Sequence, residues 1–501
     1  MNNGRICVSV CGETADETLA QIERAAGLAD IVEIRFDCLD PSEIASVLDR
    51  LSVVNTPLLL TYRPAEQGGR RPLTMADRLT FWEQALWKLD ANELLIDHEF
   101  DLDLPLDLDP ARTIISLHDF KTDGGDLVTR FDALANLTGK TIKIAISANR
   151  ITDSIGVWKL LDHASSTGKG LIPIAMGEPG KWTRILALAH GAPLVYASLD
   201  KGQETGPGQI SASDLRDVFR VKELDEHTTL FGLIAADTSY SLSPYMHNAA
   251  FKQAGLNSVF SPLQVDELDS FMRRMVDRGT REIEINFGGF SVTNPHKQTI
   301  ISHLYEVDPT AAAIGAVNTV KIDRGKLIGF NTDAPGFIKP LQDAFGDLAG
   351  ARVSVAGAGG AARACVYALK QARADVTVLA RDTTKAGAFA GEFRVNVESL
   401  TTDHRPLATD ILVNATPLGT RGERERETIA TADQLGGVRL VYDLVYNPAE
   451  TRLISEARSA GVPTIGGLDM LIAQGAKQFE IWTGREAPVD VMRDAVEKRL
   501  K

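Results

Sequence analysis

Eight short apolar runs, most of them separated by room for one helix, dominate the first two hundred residues of the chain. They are Ile6–Val10, Ile31–Ile34, Pro57–Thr61, Glu93–Asp97, Thr113–Leu117, Thr141–Ile146, Leu171–Ala175 and Leu194–Ala197. Amphipathic stretches such as Thr14–Leu28, Pro41–Leu51 and Met75–Leu89 lie between them. Strands that alternate with helices in this number predict an α/β fold with a closed (β/α)8 barrel. In such barrels the chemistry gathers at the carboxyl ends of the strands. Here those ends carry Glu33 and Arg35, Arg63, His118, Lys143, Arg184, and Thr205 with Gln209.

Lys143 is the most informative of these residues. In Thr141–Ser147 the isoleucines alternate with Lys143 and smaller residues, so isoleucines facing outer helices would turn Lys143 into the barrel. Burial there disfavours its charge, and a neutral amine can attack a carbonyl to form an imine. The residues alone also allow a lysine at a solvated strand end, held by a carboxylate. His118 ends the preceding strand, within reach of Lys143 for moving protons; a lone histidine is equally compatible with a structural role.

The motifs Val32-Glu33-Ile34-Arg35, Thr61-Tyr62-Arg63-Pro64, His118, Lys143-Ile144-Ala145, Met176-Gly177 with Arg184, and Thr205-Gly206-Pro207-Gly208-Gln209 together resemble the type I 3-dehydroquinate dehydratase family over residues 5–212. The resemblance implies that Lys143 forms a Schiff base with the substrate ketone, that His118 is the general acid and base, and that Glu33 supports it. It implies that Arg184 binds the substrate carboxylate, and that Arg35, Arg63, Thr205 and Gln209 hold hydroxyl groups or close the site. Thr205 stands where that family often has Ser. The family's loop glutamate falls within Glu66-Gln67-Gly68-Gly69, where the alignment does not decide which residue takes its place.

Beyond a junction at 214–228 the pattern changes. Val353–Ala356 runs into Gly357-Ala358-Gly359-Gly360 and an alanine-rich helix over Ala361–Leu369, a strand, glycine turn and helix suited to a pyrophosphate. A tight structural turn would look the same. The next strand, Asp375–Arg381, ends in Arg381 followed by Asp382; an arginine there suits the extra phosphate of NADP, whereas NAD sites place an acid. Ser241 and Ser243 precede a helix, where either could be a cap. Thr293 and Lys297 follow a strand, and Asn318 and Asp333 come later. Singly, Lys297, Asn318 and Asp333 would read as surface residues.

In this order, with Asn414–Gly419, Asp443–Pro448 and Gly466–Met470 followed by Gln474, they resemble the shikimate dehydrogenase family over about residues 230–485. The resemblance implies a catalytic pair of Lys297 and Asp333, with Ser241, Ser243, Thr293, Asn318, Tyr446 and Gln474 binding substrate. It assigns Gly357, Gly359, Gly360, Ala361, Arg381, Thr416 and Gly467 to NADP. Tyr240 replaces the family's usual His. The implied domains are the dehydratase barrel (1–213), a linker (214–228), a substrate domain (229–338, completed by 468–501) and a Rossmann-like nucleotide domain (339–467).

Together the halves imply a bifunctional enzyme of the shikimate pathway, first a lyase and then an NADPH-dependent oxidoreductase. The alternatives are a quinate dehydrogenase second half using NAD, or a regulator that keeps the architecture without catalysis. Composition narrows the partners. With 53 basic and 67 acidic residues the net charge is −14, so no nucleic-acid partner is expected. No apolar run approaches the roughly 18 residues of a membrane span. The four cysteines are too few for a disulfide framework, and Cys7 and Cys11, roughly 13 Å apart on one strand, could not pair. Reduced thiols, a cytoplasmic location, no metal or prosthetic group, small-molecule substrates and a monomer or homodimer are expected.

Overall fold

The computed structural model describes residues 2–51, 54–88, 94–102, 108–120, 126–400 and 407–500. Glu93 and Leu89, which bound one expected strand and one expected helix, lie outside the described residues. The chain forms two compact units, Met1–Thr229 with Asn257–Asn286, and Leu230–Leu256 with Phe287–Lys501.

In the first unit the strands are β1 (Arg5–Val10), β2 (Ile31–Arg35), β3 (Leu58–Thr61), β4 (Leu95–Glu99), β5 (Thr113–Asp119), β6 (Thr141–Ser147), β7 (Gly170–Met176) and β8 (Leu194–Ser198). They pair in parallel in the order β7-β6-β5-β4-β3-β2-β1-β8, a near-closed barrel with β7 and β8 at the ends of the ladder. The expected alternation in β6 holds. Ile142, Ile144 and Ile146 pack outward with Phe131, Leu134, Val157 and Leu160. Ala145 faces an inner cluster with Cys7, Ile174, Met176 and Tyr196. Register then fixes the neighbours: Ser116 lies beside Lys143 and His118 beside Ala145, so His118 stands one inward step nearer the carboxyl edge.

The expectation of four reduced thiols is corrected. Cys11 and Cys38 form a disulfide with a Cα–Cα distance of 5.4 Å, while Cys7 and Cys365 are free and buried. Cys11 directly follows β1, whose partner β2 ends at Arg35. Cys38 N–H donates to Arg35 O at 3.0 Å, and this turn brings it back to the end of β1. Reasoning along one strand tested the pairing of Cys7 with Cys11 and overlooked a pair across two strand ends.

In the chain order that follows come β9 (Thr229–Ala235), β10 (Ser258–Gln264), β11 (Phe287–Val292), β12 (Glu306–Val307), β13 (Thr319–Asp323) and β14 (Lys326–Phe330). Residues 257–286, which include β10, are tied to the barrel of the first unit by Arg150–Glu267 and Lys159–Glu282 ion pairs, each at 3.1 Å. Within the second unit β9, β11, β13, β14 and β12 are neighbours in that order. Its other sheet holds β15 (Arg352–Ala356), β16 (Asp375–Ala380), β17 (Asn396–Ser399), β18 (Ile411–Asn414), β19 (Leu440–Asp443) and β20 (Thr464–Ile465). These strands are all parallel, in the order β17-β16-β15-β18-β19-β20, the doubly wound pattern expected of the glycine turn after β15.

Two helices frame the second unit's cavity. Helix Asp333–Phe345 is capped by Asn331, whose Oδ1 accepts from the N–H groups of Asp333 and Ala334 at 3.1 and 3.2 Å. That cap leaves the Asp333 carboxylate free for other work. Helix Gly467–Thr483 crosses it closely at Gly336, where a Cβ would lie 2.9 Å from Gln474 Cβ.

Candidate active sites

The barrel cavity is lined by Glu33, Arg35, Arg63, His118, Lys143, Arg184, Thr205 and Gln209, so all eight barrel residues singled out in the sequence meet in one place. Lys143 is 3% exposed, and its ammonium donates to Asp97 Oδ2 at 2.6 Å. Arg63 Nη2 donates to the same oxygen at 2.7 Å, Tyr196 OH reaches it at 3.4 Å, and Lys143 Nζ sits 4.3 Å from the Tyr196 ring centre. Lys143 is therefore luminal, not at a solvated strand end, although the carboxylate of that alternative reading is present. Burial, then Arg63, push the Lys143 amine below its usual range, and Asp97 opposes them. Burial, with Arg63 and Lys143 next, pushes His118 well below its usual range. That burial favours its neutral form.

The remaining groups are held or waiting. Arg35 is clamped by Asp37 through two bonds of 2.8 and 2.7 Å and reaches Gly68 O at 3.3 Å. Glu33 does not bond His118; its carboxylate accepts from Ser9 and from Thr61 Oγ1, the latter at 2.8 Å. Thr205 donates its N–H and hydroxyl to Gln209 Oε1 at 2.7 and 3.2 Å. Arg184 is buried, and burial lowers it to about 10. Among the described residues no carboxylate pairs with it; its bond goes to the Pro207 carbonyl at 3.3 Å. A buried guanidinium without a counter-ion is a receptor for an anionic ligand. In the loop after Arg63, Gln67 is the residue buried against the cavity, while Glu66 is exposed.

The second unit's cavity is lined by Ser241, Ser243, Thr293, Lys297, Asn318, Asp333, Tyr446 and Gln474, joined by Ala361 and Gly467. Lys297 Nζ donates to Asp333 Oδ2 at 2.5 Å. Asn318 Nδ2 donates to the other carboxylate oxygen at 2.8 Å and, at 3.5 Å, to Gln474 Oε1. A largely buried ammonium that borders the cavity and rests on a fixed carboxylate can give a proton to an oxygen that gains charge.

Gly357, Gly359, Gly360, Arg381 and Thr416 stand outside that cavity, along the carboxyl edge of the parallel sheet at the ends of β15, β16 and β18. Gly357 takes φ 117°, and a Cβ there would lie 2.8 Å from Ala415 O. Gly359 opens onto free space, and helix Gly360–Gln371 begins without a side-chain cap. Its first N–H groups are thus available to a phosphate. Thr416 Oγ1 is bonded to Asn414 Oδ1 at 2.6 Å. Arg381 is exposed, and among the described residues no carboxylate pairs with it. These residues fit a dinucleotide carrying an extra phosphate. The Gly360 backbone also approaches the Lys297–Asp333 pair: a Cβ there would meet Lys297 Cδ at 3.0 Å.

Sequence reasoning missed Asp97 and Tyr196 in the barrel and left Gln67 undecided beside Glu66. Asp97 ended an expected strand like the residues that were chosen, and its inward row was the available signal. It also missed Gln478, one turn beyond Gln474 on the same helix face.

Comparison with known proteins follows the same division. Residues 6–226 match the model for type I 3-dehydroquinase, 233–320 the shikimate dehydrogenase substrate binding domain, and 467–497 the shikimate 5'-dehydrogenase C-terminal domain. The chloroplastic bifunctional 3-dehydroquinate dehydratase/shikimate dehydrogenase of Arabidopsis thaliana is 33% identical, over 98% of this chain and 84% of that protein. A shikimate dehydrogenase (NADP(+)) of Methanopyrus kandleri is 40% identical over 56% of this chain and 98% of its own. A crystal structure of a shikimate dehydrogenase in complex with NADP+ superposes with a TM-score of 0.51 at 38% identity, covering 56% of this chain and 98% of that one.

Proposed function

The chain belongs to the bifunctional 3-dehydroquinate dehydratase/shikimate dehydrogenase family, and from that premise we infer how its own residues divide the two reactions. It dehydrates 3-dehydroquinate to 3-dehydroshikimate, then reduces 3-dehydroshikimate to shikimate with NADPH. The observation that carries the residue assignment is the presence of two separate lysine–aspartate pairs in two cavities, one deep in the barrel and one beside the glycine turn.

In the barrel, Lys143 in its neutral form attacks the substrate ketone, and loss of water from the adduct leaves an imine. His118 takes the proton from the carbon next to the imine and returns a proton to the departing hydroxyl. Hydrolysis of the imine frees the product and regenerates Lys143. Arg184 meets the substrate carboxylate. Arg35, Arg63, Thr205 and Gln209 hold hydroxyl groups, and Glu33 shapes the floor beneath them from its bonds to Ser9 and Thr61.

In the second unit Ser241, Ser243, Thr293, Tyr446 and Gln474 orient the ring and carboxylate of 3-dehydroshikimate. NADPH, when bound, supplies the hydride; Gly357, Gly359, Gly360, Ala361, Thr416 and Gly467 would hold it, with Arg381 on the extra phosphate. Lys297 delivers the proton to the carbonyl oxygen as charge builds there, and Asp333 aims it. No helix among the described residues is long and apolar enough to cross a membrane. As further proposals, the domain limits are those given above, and the enzyme acts in the cytoplasm as a monomer or homodimer, to be checked by fractionation and light scattering.

One assay tests the assignment. The full chain receives 3-dehydroquinate and NADPH, and NADPH loss is followed. Lys143→Met stops the signal, and added 3-dehydroshikimate restores it. Lys297→Ala stops the signal, and added 3-dehydroshikimate does not restore it. Dehydration by Lys143→Met at the normal rate would refute the Schiff-base role.

A further inference from the structure

We propose that Gln478 is a positioning residue for the reductase, acting through Thr319 and Asn318 on the Lys297–Asp333 pair. The proposal rests on reading that cavity as the reductase site. Gln478 is 2% exposed and borders the cavity, yet none of its hydrogen-bonding capacity is left for a substrate. Its Oε1 accepts from Ser291 Oγ at 2.8 Å and from His247 Nε2 at 3.2 Å. Its Nε2 donates to Asn318 O at 3.2 Å and to Thr319 Oγ1 at 3.1 Å. An amide offers two N–H donors and two acceptor lone pairs, and all four are used.

The direction of these bonds is fixed, because the Asn318 carbonyl can only accept. Nε2 must therefore face Asn318 and Thr319, and Oε1 must face Ser291 and His247. Thr319, receiving from Gln478, turns its own hydroxyl proton to Asn318 Oδ1 at 2.8 Å. Thr332 N–H donates to the same Oδ1 at 2.8 Å. With Oδ1 thus occupied, Asn318 must present Nδ2 to Asp333 Oδ1, at 2.8 Å. Asp333 Oδ2 then remains for Lys297. A reversed Asn318 would set its oxygen against the carboxylate, and the pair would lose its alignment. One amide on helix Gly467–Thr483 thereby holds the Asn318 carbonyl and turns the Thr319 hydroxyl, which joins the Thr332 N–H in keeping Asn318 aligned on the carboxylate that meets the catalytic ammonium.

The test uses the full chain and two shape-preserving variants, Gln478→Met and Thr319→Val, with their double variant. For each, kcat and KM for 3-dehydroshikimate, the pH profile of kcat, NADPH affinity and the melting temperature are measured. A positioning role lowers kcat about 3- to 30-fold, shifts the pH profile of kcat, and leaves KM and NADPH affinity within about threefold. The double variant then loses no more than the worse single one, since both break the same chain. Thr319→Val keeps the question answerable should Gln478→Met fold poorly. A lowered melting temperature with unchanged kcat and pH profile, or losses in the two variants that multiply, overturns the proposal. Failure of the unaltered chain to reduce 3-dehydroshikimate would instead overturn the reading of the site.

Discussion

Replacing Asp97 with Asn isolates what one buried charge does for the barrel's buried lysine. The amide keeps the shape and one acceptor oxygen. It removes the negative charge shared by Lys143 Nζ at 2.6 Å and Arg63 Nη2 at 2.7 Å. At an effective dielectric of about 20, a unit pair at such a distance is worth on the order of 6 kcal/mol. Desolvation offsets much of that, and breaking a buried pair costs about 3–5 kcal/mol net. Two responses hold the loss near the lower figure. Lys143 can shed its proton. Glu99, 3.7 Å from Arg63 Nε, can ionise in Asp97's place, because Asp97's charge now helps burial push its carboxyl up to about 8. The expected result is a destabilisation of about 3 kcal/mol in the barrel's denaturant unfolding, with reductase activity unchanged. Asp97 favours the ammonium form of Lys143, so its loss makes the neutral amine easier to form. The acid limb of imine formation, read as the rate of borohydride trapping of substrate against pH, therefore moves to lower pH. Turnover still falls, by up to about 10²-fold, because Lys143 is no longer aimed. An acid limb that stays in place, or moves to higher pH, would refute this account of Asp97.

Arg381→Ala should weaken NADPH roughly 10- to 100-fold, the range for one charge-assisted contact, while NADH changes little; equal losses in fluorescence titrations with both would make Arg381 a fold residue. Arg184→Met should raise the dehydratase KM at least about tenfold yet stabilise the barrel by about 1–3 kcal/mol, since it deletes a buried cation with no counter-ion; a destabilised variant with normal KM would count against the anion-receptor reading. Glu99 has a folded value of about 8, raised by burial above its ordinary 4.5, so its stabilising contribution is full below about pH 4.5 and is lost as pH rises through 8. Glu99→Gln should therefore flatten the fall in barrel stability across that window, and unfolding curves at pH 5 and pH 9 that fall as steeply as in the unaltered chain would contradict it.

The two lysines show what a linear reading can and cannot extract. Alternation in β6 was enough to turn Lys143 inward, because isoleucines facing helices leave the other row for the lumen. The partner that decides its chemistry was hidden. Asp97 is 46 positions away and meets Lys143 only through the register of β4 with β5 and of β5 with β6. The same holds for Cys11 and Cys38, which only the pairing of β1 with β2 and the turn at Arg35 bring together.

The Lys297–Asp333 pair was legible as a motif, but its chemistry again depends on surroundings that sequence does not carry. Both lysines sit on an aspartate at nearly the same distance, 2.6 and 2.5 Å. Asp97 Oδ2 divides its charge between Lys143 and Arg63, and Lys143 is only 3% exposed. Burial therefore gains on the carboxylate, and the amine is driven toward the neutral form that a nucleophile needs. Among the described residues Asp333 Oδ2 serves Lys297 without a second cation, and its other oxygen is held by neutral Asn318. Lys297, at 15% exposure, keeps both its carboxylate and some solvent. Moving a second cation beside Asp333 is the change that would divide its charge as the Asp97 charge is divided. Thr332→Lys, on the residue preceding the carboxylate, should lower reductase kcat below that of Thr332→Met, the control for loss of the buried hydroxyl bonded to Asn318, while the dehydratase runs as before in both. A kcat equal to that control's would show that the single-cation environment of Asp333 does not set the reductase rate.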